Sequence, residues 1–176
     1  MAYTTDRTWV AGEVVTAAYL NTYLRDNVKW LSTDKPMCRT YNTPGQSVAA
    51  SSTVTLTYNT DRFDNADLHA TTGANTNRIT IPTGGAGKYV FGLWTGMPGQ
   101  ATPGNYHAHA IRKSGTTSIA ANQVQVINSA AFGPYMTCVS FWSSAAADWF
   151  DSSYAQDGGG ALTLIEAEFW AVWIGV

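Results

Sequence analysis

Charge is what this 176-residue chain has least of. Ten Lys and Arg with twelve Asp and Glu make up 12% of the residues, against roughly 25% in an average soluble domain, and leave a formal net charge of −2. There is no cluster of basic residues to neutralise a run of phosphates, which argues against electrostatic capture of nucleic acid. Long apolar runs are missing too. No window approaches 18 consecutive apolar residues, so no membrane-spanning helix is expected, and the first residues lack the basic start and apolar stretch of a secretory signal, so synthesis in the cytoplasm is expected. Cysteine is nearly absent. Cys38 and Cys138 cannot build a disulfide framework and have no metal-ligand spacing around them. This favours two small buried hydrophobes, with a disulfide between them left open.

What the chain has instead is glycine and large aromatics: 16 Gly, 7 Trp and 9 Tyr. A surface with little charge and many aromatics resembles a permanent subunit interface, and the alternative is a neutral monomer coated in Thr, Ser and Asn. The length suits one domain with a core of its own, or one domain plus an appendage.

One stretch reads as an amphipathic helix. Thr16 is a good N-cap for a segment from Ala17 to Leu31, which contains no Gly or Pro and is about 22 Å long at a rise of about 1.5 Å per residue. At 100° per residue, Ala17, Leu20, Leu24, Val28 and Leu31 form one stripe flanked by Tyr19, Tyr23 and Trp30. Asn21, Thr22, Arg25, Asp26 and Lys29 fill the opposite arc. The apolar half is wider than a two-helix coiled-coil seam needs, so the helix calls for a broad surface.

Residues 34–44 are rich in Pro, Thr and Asn and read as a linker or entry loop. Strand signals follow at Thr53–Tyr58, Arg78–Pro82, Lys88–Trp94, Tyr106–Arg112, Thr116–Val126, Tyr135–Trp142, Asp148–Tyr154 and Leu162–Ile174. The pair around Ser114-Gly115 reads as a hairpin. About eight strands suit a two-sheet jelly roll. The apolar end Trp173-Ile-Gly-Val176 reads as docked inside a sheet or an interface.

Motifs for chemistry are few. Gly84-Gly-Ala-Gly-Lys-Tyr89 fails as a phosphate loop, since Pro82 stands where its first Gly is needed and Tyr89 where Ser or Thr should follow the Lys. No Gly-x-Ser-x-Gly occurs. His107 and His109 share a strand face but have no third ligand nearby in sequence, and they read as a solvent- or interface-facing pair. Glu166 and Glu168, about 7 Å apart on one face, read as surface or interface carboxylates more readily than as a glycosidase pair. Asp148, Asp151 and Asp157 lack calcium-loop spacing and read as solvated turn residues. Trp94, Tyr106, Trp142, Trp149 and Tyr154 could stack on sugars, pack in the core or face a subunit. No catalytic, cofactor or metal residue is assigned.

The stretch from Arg7 to Leu31 resembles an N-terminal motif of structural proteins of tailed bacteriophages, especially those infecting actinobacteria. It is matched by Trp9, Gly12, Glu13, Val15, Thr16, Ala17, Leu20, Asn21, Arg25, Asp26 and Asn27. Residues 38–176 are similar to the jelly roll shared by tumour necrosis factor and the globular head of the first complement component. That likeness is carried by Phe63-Asp64 before a loop, Ile79-Thr-Ile-Pro82 ahead of Lys88-Tyr89, the Arg112-to-Thr116 hairpin, and Ala147-Asp148 opening a strand. The chain departs from the pattern at Ala147, where Gly is usual, and in a Pro/Gly-rich insert from Met97 to Asn105.

Together the resemblances imply a mainly β fold, an antiparallel jelly-roll β-sandwich with one N-terminal α-helix. Residues 1–37 would form an arm and attachment helix, and residues 38–176 the jelly-roll domain. They also imply a homotrimer with aromatics along its axis, no enzymatic activity and no cofactor. The expected role is that of a capsid decoration protein on the outer surface of the virion, bound to the major capsid protein or another virion protein. The attachment residues would be Trp9, Leu20, Leu24, Val28, Trp30 and Leu31. A tail-tip or fibre component recognising a host-surface glycan is the alternative, and a glycan hydrolase using Glu166 and Glu168 is a third reading.

Overall fold

The computed structural model describes residue 4 and residues 7–99, 105–126 and 133–175. Among them a helix over 17–34 precedes twelve strands: β1 (Met37–Asn42), β2 (Ser47–Val48), β3 (Thr53–Thr55), β4 (Thr60–Asp64), β5 (Arg78–Thr80), β6 (Gly87–Gly96), β7 (Tyr106–Lys113), β8 (Thr117–Gln125), β9 (Tyr135–Ser144), β10 (Trp149–Gln156), β11 (Leu162–Thr163) and β12 (Glu166–Gly175). One sheet runs β4-β1-β12-β6-β9. The second runs β3-β10-β7-β8 with β5 also on β10, and β2 pairs with β11. All these pairings are antiparallel, so the chain is a mainly β jelly roll with one N-terminal helix, as expected.

Period-2 alternation sorts each long strand into a core face and an outer face. In β9, Met136, Cys138 and Ser140 are buried while Tyr135, Thr137, Val139 and Phe141 are exposed. β6 buries Tyr89, Phe91 and Leu93, and β12 buries Ala167, Phe169, Ala171 and Trp173. Ile79, Ile111, Phe150 and Tyr154 bring core side chains from the second sheet. The Phe91 and Phe150 rings, 4.2 Å apart, join the two layers. Each such burial contributes on the order of 1.5–3 kcal/mol. Both cysteines are buried and free, and burial pushes the Cys138 thiol up to about 11.

The β7–β8 hairpin forms where the sequence places it. Ser114 and Gly115 both take positive φ, 53° and 73°, as a two-residue turn matching strand twist requires. Two other expectations are corrected. Residues 34–44 are not a linker, because Met37–Asn42 is a strand held on both sides, by β12 and by β4. Its inward residues Cys38, Thr40 and Asn42 are small or polar, so it carries no apolar signature. β2 and β4 are also absent from the sequence expectation, and Leu162–Ile174 divides into β11 and β12, so with β1 the strand count rises from about eight to twelve.

The helix begins as its cap predicts: the Thr16 hydroxyl accepts from the Tyr19 amide at 3.3 Å. Its α-helical turns Ala17–Leu20 and Asp26–Lys29 alternate with π-helical turns Asn21–Arg25 and Trp30–Asp34. Trp30 is 3% exposed and meets the Trp173 ring edge-on at 4.5 Å. Asn65, from the loop after β4, donates to the Thr33 and Lys35 carbonyls at 2.9 Å each and so caps the helix end. At the far end of the chain Trp173 is docked as expected, Ile174 is exposed, and Val176 lies outside the described residues. Residues 100–104 of the Met97–Asn105 insert also lie outside them.

Candidate functional site

The chemistry-bearing residues are spoken for by the fold. Glu166 and Glu168 do share a face, but Glu168 is 4% exposed and held between two arginines. Arg39 Nε donates to one carboxylate oxygen at 2.8 Å, and Arg62 donates to the other while reaching Glu166 at 3.0 Å. Asp151, expected in a solvated turn, is a buried β10 residue taking two bonds from Arg112, at 2.9 and 2.7 Å. Asp148 binds Lys113 at 2.7 Å, and Asp157 accepts from the Tyr106 amide. Burial pushes the Asp148 carboxyl up, but Lys113 and the Ala145 amide outweigh it and hold it below its ordinary value. Glu166, Glu168, Asp151 and Asp148 are thus held in structural ion pairs, and Asp157 in a bond to a backbone amide. No group of three or more His, Cys, Asp or Glu among the described residues is placed to hold a metal.

His107 and His109 are corrected most sharply. They face the core, fully or almost fully buried, and face neither solvent nor a partner. The candidate sugar platform also disperses. Tyr154 is in the core, Trp149 carries the Arg78 guanidinium over its ring, Trp142 packs against the core, and Trp94 stacks on Tyr135 at 5.2 Å.

Two surfaces remain. The first is the N-terminal arm and helix. Asn27, buried inside this unit, clasps the arm: its Oδ1 accepts from the Thr4 amide at 3.0 Å and its Nδ2 donates to the Thr4 carbonyl at 2.9 Å. Arg7 pairs with Glu13 and lies 4.0 Å from the Tyr19 ring centre and 5.1 Å from that of Trp9. Gly12, at φ +82°, makes the turn between Val10 and Glu13 that brings the pair together. The conspicuous motif residues Trp9, Gly12, Glu13, Thr16 and Asn27 thus fold the arm onto the helix. Leu20, Leu24, Val28 and Leu31 stay 43–63% exposed, and Trp9 is 40% exposed. Trp30, expected to attach outward, is instead the joint between helix and jelly roll and has no surface to offer.

The second surface is the outer face of the five-stranded sheet. Register sets Arg39, Trp170, Gly92 and Val139 in one row across β1, β12, β6 and β9, with Val172, Val90 and Phe141 in the row beside it. A Cβ at Gly92 would run into the Trp170 ring, so the glycine is what lets the indole lie flat on the sheet. A groove of about 420 Å³ opens between Trp94 and Trp170, bordered by Arg39, Arg62 and Glu166. Sequence reasoning missed Arg39, Arg62 and Gly92. Only the isolated Gly within an apolar strand carried a usable signal. Among the described residues, no helix is long and apolar enough to cross a membrane.

No protein-family model and no curated protein matches this sequence. Among solved structures, the fold is similar to the globular domain of zebrafish complement 1qA protein, with a TM-score of 0.56 at 15% identity, over 80% of this chain and 98% of that one. The likeness establishes the jelly-roll architecture.

Proposed function

We propose that this chain is a non-enzymatic structural protein of a tailed-bacteriophage virion: a homotrimer seated on the outer surface of the capsid as a decoration protein and bound there to the major capsid protein through its N-terminal helix. The observation that carries the reading is the aliphatic stripe that Leu20, Leu24, Val28 and Leu31 leave in solvent while the helix is pinned to the body through other residues. A helix with nothing to bind would turn such a stripe inward. The resemblance of the segment from Arg7 to Leu31 to virion proteins supplies the setting. The apolar outer face of the five-stranded sheet, with the jelly-roll likeness, supports the trimer. Pairing of the carboxylates with arginine and lysine supports a role without catalysis.

Burying one Leu contributes roughly 2 kcal/mol, and three linked attachment points multiply its effect. Undecorated particles mixed with Leu24→Asp protein should therefore remain largely bare, while the wild type fills its sites and both proteins keep the same fold. Equal occupancy would remove the helix from this role and turn attention to the groove between Trp94 and Trp170 as a glycan site.

A further inference from the structure

His107 and His109 sit two residues apart on β7 with both rings inside the sandwich. Each makes one hydrogen bond from Nδ1: His107 to the Tyr154 hydroxyl at 2.7 Å, His109 to the Thr95 hydroxyl at 2.9 Å. In both rings Nε2 is buried and has no partner. One such orphan is unusual in a core, and two at alternate positions of one strand are a feature to explain. The surroundings provide little for an added proton. From β10 the neighbour is Tyr154, whose hydroxyl also points at the Met97 sulfur at 3.5 Å. From β6 it is Thr95. From β9 the Thr137 backbone favours the charged form of His109, though burial outweighs it, and β8 contributes Asn122, whose amide donates to the Thr137 carbonyl. The carboxylate acting on His107 is Asp157, just past the end of β10, and burial outweighs it.

We propose that this pair is an acid-sensitive latch: while both imidazoles are neutral they hold β7 against β6 and β10, and protonation of either opens this end of the sandwich. An imidazolium carries two N–H donors and a charge. At His107 one nitrogen meets a hydroxyl and the other no acceptor, and at His109 the Thr137 backbone favours the charged ring but burial outweighs it, so the charged forms are accommodated only if the strands part and admit water. Burial accordingly lowers both groups, His109 to about 4 from 6.5. Because the folded-state value is depressed, the opened state binds more protons between the two values. Stability is full above about pH 6.5 and falls as pH drops towards about 4. The Asp148 carboxyl, held below its ordinary value, acts lower than this interval, and the variant below isolates the part that His107 and His109 contribute.

The test is urea unfolding of the full chain at pH 7.5 and 4.5. In the wild type the opening constant should rise by up to ~100-fold from His109 alone, by the linkage relation. A His107→Gln/His109→Gln protein should show little change over the same interval. Imidazole NMR resonances of the wild type settle the matter if that variant fails to fold. Both rings should stay neutral down to the opening transition, and amide exchange should rise first in β7. Titration of either ring near pH 6.5 in the closed protein, or a pH-independent opening constant, would overturn the latch.

Discussion

At the scale of single residues, Gly92 is the sharpest test of how the outer face is built. Any Cβ there collides with the Trp170 ring, so Gly92→Ala should lift the indole from its seat and destabilise the protein by about 1–3 kcal/mol. The measurement is the urea midpoint together with Trp fluorescence, and an unchanged midpoint would mean that Trp170 swings aside freely. Some residues advertised their positions and others did not. Thr16 could be read as a cap because capping depends on a few neighbouring atoms, and Ser114-Gly115 as a turn for the same reason. Glu168 could not be paired in advance with Arg39 or Arg62, because those contacts link β12 to β1 and β4 across more than a hundred residues. The buried histidines escape sequence reading because β7 sets His107 and His109 against Ala108 and Ala110, and small residues opposite polar ones mark neither face as the buried one.

At the scale of elements, the helix is both the most legible part and the part whose use was least legible. Its span and cap follow from local periodicity. Which side meets the body does not, since Trp30 and Leu31 are adjacent in sequence and end in opposite environments. Trp30→Ala removes a large buried ring from the joint and should cost about 3–5 kcal/mol of stability by chemical denaturation. Deleting the arm alone, up to residue 15, should leave the urea midpoint of the jelly roll nearly unchanged. A midpoint unmoved by Trp30→Ala would show that the helix hangs free of the sandwich. β1 illustrates the opposite case, a strand inside a five-stranded sheet, between β4 and β12, that looks like a loop in sequence. Its ladder partners on both sides, together with burial of Cys38 and Thr40, override weak local propensity.

At the scale of the whole molecule, a chain with 12% charged residues and an apolar sheet face is poorly suited to remaining alone in water. The proposed trimer would cover Val139 and Phe141, which are 47% and 71% exposed in the single chain. Wild-type protein should sediment as three copies, and a Val139→Asp/Phe141→Asp variant as one, with the same circular dichroism. A variant that stays trimeric would place the interface elsewhere. The joint between helix and body also has a mechanical meaning. Trp30 bears on Trp173, whose amide is tied to the Pro36 carbonyl at 2.9 Å, and Trp173 belongs to β12, the middle strand of its sheet. A pull on the helix therefore enters the sandwich at β12 through this contact and at β1 through the backbone, both flanked by two neighbours, and does not start at an edge that could peel. Freeing either strand breaks its hydrogen bonds to two neighbours, whereas β9, at the edge of that sheet, is hydrogen-bonded there to β6 alone.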